Sequence, residues 1–98
     1  MNDRLQGYVT AAGAAAAAGR WQDAERLWGQ VLAIAPNHVQ ALYSLGVHAF
    51  QRGATAEALE LLADACRHAP QDPMIPLTIA RIHRDAGQHE QEWGAITQ

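Results

Sequence analysis

The sequence predicts an all-α protein, an α-solenoid of about three antiparallel helix-turn-helix units. Three observations carry this. Pro36 and Pro70 stand 34 residues apart, and Gly19, Gly53 and Gly87 keep the same interval. A fixed period in this range marks one supersecondary unit that has been copied and stacked. Within each copy the apolar residues recur at steps of three and four, the spacing of one helix face. Small residues also take matching places where two helices must approach: Ala12 with Ala24 in the first copy, Gly46 with Ala58 in the second.

Residues 5–38 form the first unit. Its first helix ends in the tract Ala14 to Ala18, a strong helix former whose bareness also offers a close-approach surface. Gly19 then turns the chain, since glycine takes a positive φ after a helix end at no steric cost. A second helix follows until Pro36, which cannot continue it. Asn37 is the expected N-cap of the next helix.

Residues 39–72 repeat the plan, with Leu42, Leu45, Ala49 and Phe50 as one apolar stripe. Leu59, Leu62, Ala65 and Cys66 form the facing stripe. Gly53 is the turn, Pro70 the stop, and Asp72 the next cap.

Residues 73–98 begin a third unit, left incomplete, with its turn expected at Gly87. Pro76 sits in the first turn, where a missing N–H costs least, and shifts the helix start rather than breaking it. Glu92 occupies the place of Ala24 and Ala58. A glutamate between packed helices is costly without a partner, so the last helix is expected to rotate or splay, with Glu92 reaching solvent or Arg81. Trp93 and Ile96 would then lie partly uncovered, suited to self-association as a homodimer.

The bulk numbers fit one small domain spanning residues 1–98. Hydrophobic residues make up 49% and charged residues 17%, which excludes intrinsic disorder. The net charge of −3 lacks the basic footprint of a nucleic-acid binder. No apolar run approaches the roughly 20 residues that span a bilayer, so no membrane partner is expected and the expected location is cytoplasmic. The stretch Val9 to Ala18 imitates a signal-peptide core, but Asp3 is out of place in a basic leader and the stretch is needed in phase as the first helix. Arginine without lysine, with heavy use of alanine, suggests a GC-rich bacterial source.

Taken in register, the segments resemble tetratricopeptide repeats. Tyr8, Ala11, Ala12, Ala24, Trp28, Val31 and Pro36 match that pattern in the first unit; Leu42, Leu45, Gly46, Ala58, Leu62, Ala65 and Pro70 match it in the second. The resemblance implies a right-handed superhelix whose first helices line a concave face that binds a protein or peptide. Carried over by position, that face holds Val9 and Gly13, then Gln40, Tyr43, Val47 and Phe50, then Leu77, Arg81 and Arg84, with Met74 and Thr78 among them. The face is mostly apolar or small, with one basic end suited to orienting an acidic ligand.

A subgroup of the family clamps a peptide C-terminal carboxylate with lysine, asparagine and arginine. At the corresponding positions stand Val9, Gly13, Ser44, Met74 and Thr78, which supply no cation, so that function is not expected here. Residues 61–96 also resemble the repeat region ahead of some bacterial aspartyl/asparaginyl β-hydroxylase-like or sulfotransferase domains. That implies a non-catalytic part of a larger enzyme as the alternative.

No catalytic constellation emerges, and no cofactor is expected. His38, His48, His68, His83 and His89 show neither an HExxH pattern nor cysteine partners, so no metal site is expected. Cys66 lies on the apolar stripe of its helix, where cysteine acts as a small core hydrophobe. The expected function is therefore that of a scaffold, binding a peptide, a helix or a second subunit.

Overall fold

A computed structural model of the chain describes the backbone of residues 3–97 and the side chains of residues 3–86. Five helices follow one another: α1 (Asp3–Ala17), α2 (Trp21–Ile34), α3 (Val39–Gln51), α4 (Thr55–His68) and α5 (Met74–Thr97). Each packs on the next in sequence, so α1 with α2 and α3 with α4 form hairpins, and α5 closes on α4. The arrangement is an all-α helical repeat solenoid.

The two hairpin turns use glycine as the repeat predicts. Gly19 has φ +79° and Gly53 φ +88°, backbone that L side chains rarely adopt. Around each, a backbone N–H reaches back to a carbonyl five residues earlier, Arg20 to Ala15 and Ala54 to Ala49, which satisfies a helix-end acceptor. α2 and α4 end at Ile34 and His68, just before Pro36 and Pro70.

The caps are partly as expected. Asp72 Oδ1 accepts from the Met74 N–H at 3.0 Å. At the start of α3, however, the cap is His38 and not Asn37: its Nδ1 accepts from the Ala41 N–H at 3.2 Å. The helix begins at Val39, so His38 is the residue whose side chain lies within reach of that first turn.

The small-residue register builds the core. Ala12, Ala24, Ala41, Ala49, Ala58 and Ala65 all have no exposed surface. Trp28 and Leu62, in matching positions of α2 and α4, are the two largest buried side chains among the described residues. The tight approach is clearest at Gly46. A Cβ there would sit 2.8 Å from Leu62 Cγ and 3.4 Å from the Ala58 carbonyl oxygen, so only glycine lets α3 and α4 close to this separation. Leu32 of α2 packs with Leu42, Ala65 and Ile75, which joins the first hairpin to the second and to α5. Cys66 lies half-buried in that same cluster.

The third unit departs from expectation. No turn forms at Gly87; α5 runs uninterrupted for 24 residues. The physical reason lies in register. After Gly19 and Gly53 the chain reverses because Ala24 and Ala58 can then bury completely against the facing helix. The third copy offers Glu92 at that position. Burying its carboxylate unpaired would cost several kcal/mol, roughly 3–5. With no docked helix to offset the reversal, the chain keeps its helical hydrogen bonds through Gly87. The side chains of Glu92, Trp93 and Ile96 lie outside the described residues, as does any approach of Glu92 to Arg81.

One face of α5 is left open as a result. Pro76, Ala80 and His83 stand in register with Leu42, Gly46 and Ala49, which α4 covers. The three residues of α3 are buried, whereas Pro76, Ala80 and His83 are all exposed.

Candidate functional site

The surface where α3 meets α5 combines apolar exposure with a hollow. Met74 and Leu77, one helical turn apart, are 52% and 51% exposed. A cavity of about 500 Å³ opens beside them, lined by Val39, Gln40, Tyr43, Asp72, Met74 and Ile75. Along α5 a second hollow of about 420 Å³ is lined, among the described residues, by Leu77, Ala80, Arg81 and Arg84. Met74, Leu77, Arg81 and Arg84 recur at steps of three and four and so form one stripe.

Tyr43 holds this surface in shape. Its hydroxyl shares a hydrogen bond with Thr78 Oγ1 at 2.9 Å, and Thr78 Oγ1 also lies 2.8 Å from the Met74 carbonyl, to which it donates. If Thr78 donates to its own helix, the Tyr43 hydroxyl is the donor across the gap. The ring packs against Leu42, Ala65 and Ile75, so Tyr43 ties α3 to α5 as well as lining the cavity. Tyr43→Phe is expected to cost about 0.5–1.5 kcal/mol, the net worth of one such bond, read from the urea midpoint with an unchanged slope.

The positions named from sequence divide into three groups. Gln40, Tyr43 and Met74 meet around the larger cavity, and Leu77, Arg81 and Arg84 along the smaller. Phe50 is half-buried and packs on Ala49, Ala58, Leu62 and Ile82, so much of it serves the core. Val9 packs on the first hairpin's core, Gly13 has open space where a side chain would project, and Val47 is half-buried. None of these last four lines either hollow. Val39, Asp72 and Ile75 do line the larger one and were not named from sequence as groove residues; Val39 and Ile75 stand in the first turns of α3 and α5, and Asp72, expected as a cap, lies just ahead of α5.

A second polar cluster also escaped the sequence reading. The His48 ring stacks on Trp21 with centroids 4.7 Å apart and planes 6° from parallel. His48 Nε2 lies 3.3 Å from Glu25 Oε2, while its buried Nδ1 has no hydrogen-bond partner among the described residues. This ties the start of α2 to the end of α3. Among the described residues no group of three or more His, Cys, Asp or Glu is placed to hold a metal ion, and no helix is long and apolar enough to cross a membrane.

Two hairpins built on a buried small-residue register, an added helix and a mostly apolar groove define a helical repeat protein of the interaction class. The family comparison makes this specific: residues 9–73 match the tetratricopeptide repeat model. The chain belongs to the tetratricopeptide repeat family, whose repeats mediate protein–protein interaction. No curated protein matches the chain.

Proposed function

We propose that this chain is a non-catalytic binding module that takes a protein segment in the groove between α3 and α5. The observation that carries this is the pair Met74 and Leu77, each about half exposed, beside a cavity of about 500 Å³. Large apolar side chains rimming a preformed hollow gain by covering, and a preformed surface lowers the ordering cost of binding. The same module would serve as the repeat region of a larger bacterial enzyme of the aspartyl/asparaginyl β-hydroxylase-like or sulfotransferase-like kind.

The test uses residues outside the core. Met74→Asp with Leu77→Asp is expected to leave the helical spectrum unchanged and to abolish retention of one specific protein from a bacterial lysate. Retention of the same protein by the double variant rejects this groove. Phe50→Asp is a poor substitute, because its packing on Ala58 and Leu62 would confuse loss of binding with loss of fold.

Self-association is the second reading, favoured by the open α5 face of Pro76, Ala80 and His83. A second copy is an occupant that could cover it, with Trp93 and Ile96 further along the same helix. Sedimentation at high micromolar concentration is expected to show a dimer; a clean monomer there removes this reading.

A further inference from the structure

We infer that the segment taken by this groove carries an apolar side chain with acidic residues three to five positions away from it along an extended strand. The inference rests on the groove reading and adds the chemistry of the partner. The chain as a whole is acidic, with a net charge of −3. The groove stripe on α5 nevertheless ends in two exposed arginines, Arg81 and Arg84.

Arg81 and Arg84 stand together beside Leu77 on one stripe, and they share with Arg4 and Arg20, but not with the remaining three arginines, the lack of an ion pair to a described carboxylate. Arg26 pairs with Asp23 at 3.7 Å, Arg52 with Glu57 at 2.6 Å, and Arg67 with Asp64. Neither Arg81 nor Arg84 forms an ion pair with a described carboxylate, and that includes Asp85, four residues beyond Arg81. Two guanidinium groups thus border a hollow with Leu77, where they can take carboxylates bidentately.

Spacing turns this into a motif. From Met74, at the apolar cavity, Arg81 lies seven and Arg84 ten residues along the helix, about 10 and 15 Å. An extended peptide covers those distances in about three to five residues. Asp72 at the opposite end of the groove repels acidic residues on the other side of the anchor, so the charge order also sets the direction in which the segment lies.

The experiment is selection of a displayed library of random 12-residue peptides on the intact chain and on two variants of unchanged helical spectrum, Arg81→Glu/Arg84→Glu and Met74→Asp/Leu77→Asp. The expected result is recovery of peptides with Asp or Glu three to five positions from a large apolar residue. Their affinity should fall about tenfold or more with the arginine variant and with added salt. That variant should instead recover peptides with lysine or arginine at those positions. Peptides that are lost with the Met74 variant but show no acidic enrichment, or that bind the arginine variant equally well, overturn the inference and leave the groove standing. A library yielding no binder, or binders indifferent to the Met74 variant, overturns the groove reading itself.

Discussion

Trp28→Ala is expected to destabilise the chain by about 3–5 kcal/mol, a large share of the roughly 5–15 kcal/mol that holds a typical domain folded. Trp28 is 2% exposed and packs with Ala12, Ala15, Ala24, Val31 and Ala41. Its fully buried neighbours are mostly alanines, which have no rotamers with which to fill the void. Because each unit of a stacked protein is held only by its neighbours, the loss should melt α1 and α2 before the rest.

Trp28→Leu is the informative control. Leu62 fills the matching position of the second hairpin with no exposed surface. The Trp28 indole N–H is buried and has no hydrogen-bond partner among the described residues, so both substitutions remove an unmet donor and differ only in the void they leave, which is smaller with leucine. The leucine variant should therefore lose distinctly less stability than the alanine variant. Urea unfolding followed by far-UV circular dichroism checks both; equal losses would mean that the register does not equate Trp28 with Leu62.

Ala58→Glu gives the second hairpin the residue that the third unit carries at Glu92. Ala58 has no exposed surface, and its carbonyl oxygen is within 3.4 Å of where a Gly46 Cβ would lie. An unpaired carboxylate there is expected to cost about 3–5 kcal/mol at neutral pH and to open α4 away from α3. Burial raises the folded-state pKa of such a group, so the penalty is smallest below the unfolded glutamate value of about 4.3. It grows as pH rises from there towards the raised folded value. Stability recovered on acidification, measured against Ala58→Gln, is the outcome that identifies the charge as the cause. A loss independent of pH would assign it to crowding instead.

Most of the solenoid was legible because it rests on features a sequence displays. Gly19 and Gly53 announce their positive φ, and Ala24 and Ala58 announce close approach by lacking volume. Gly87 shows the limit of that reasoning. A glycine permits a reversal but does not drive one; docking of the following helix does, and Glu92 already signalled that docking would fail. The stack of Trp21 on His48 left no trace because their register mates are Thr55 and Ala14, so no repetition marks them. His38 escaped as a cap because histidine caps less often than the asparagine beside it. Of the groove, the α3 and α5 positions were readable from register. Phe50 was readable both as part of the apolar stripe of α3 and as a groove position; how it divides between them was not, since that depends on where Ile82 of α5 settles.

The central claim is that the third unit is one continuous helix, leaving its Pro76–Ala80–His83 face and its Met74–Leu77 stripe open to a partner. A distance between spin labels at Pro76→Cys and Thr97→Cys, with Cys66→Ala, tests this most directly. A continuous α5 places these positions 21 residues apart along one axis, about 32 Å. A hairpin closed at Gly87 would set them on neighbouring helices whose axes are about 8–10 Å apart. A dominant distance near 32 Å is the predicted result; a dominant distance near the hairpin value would contradict it.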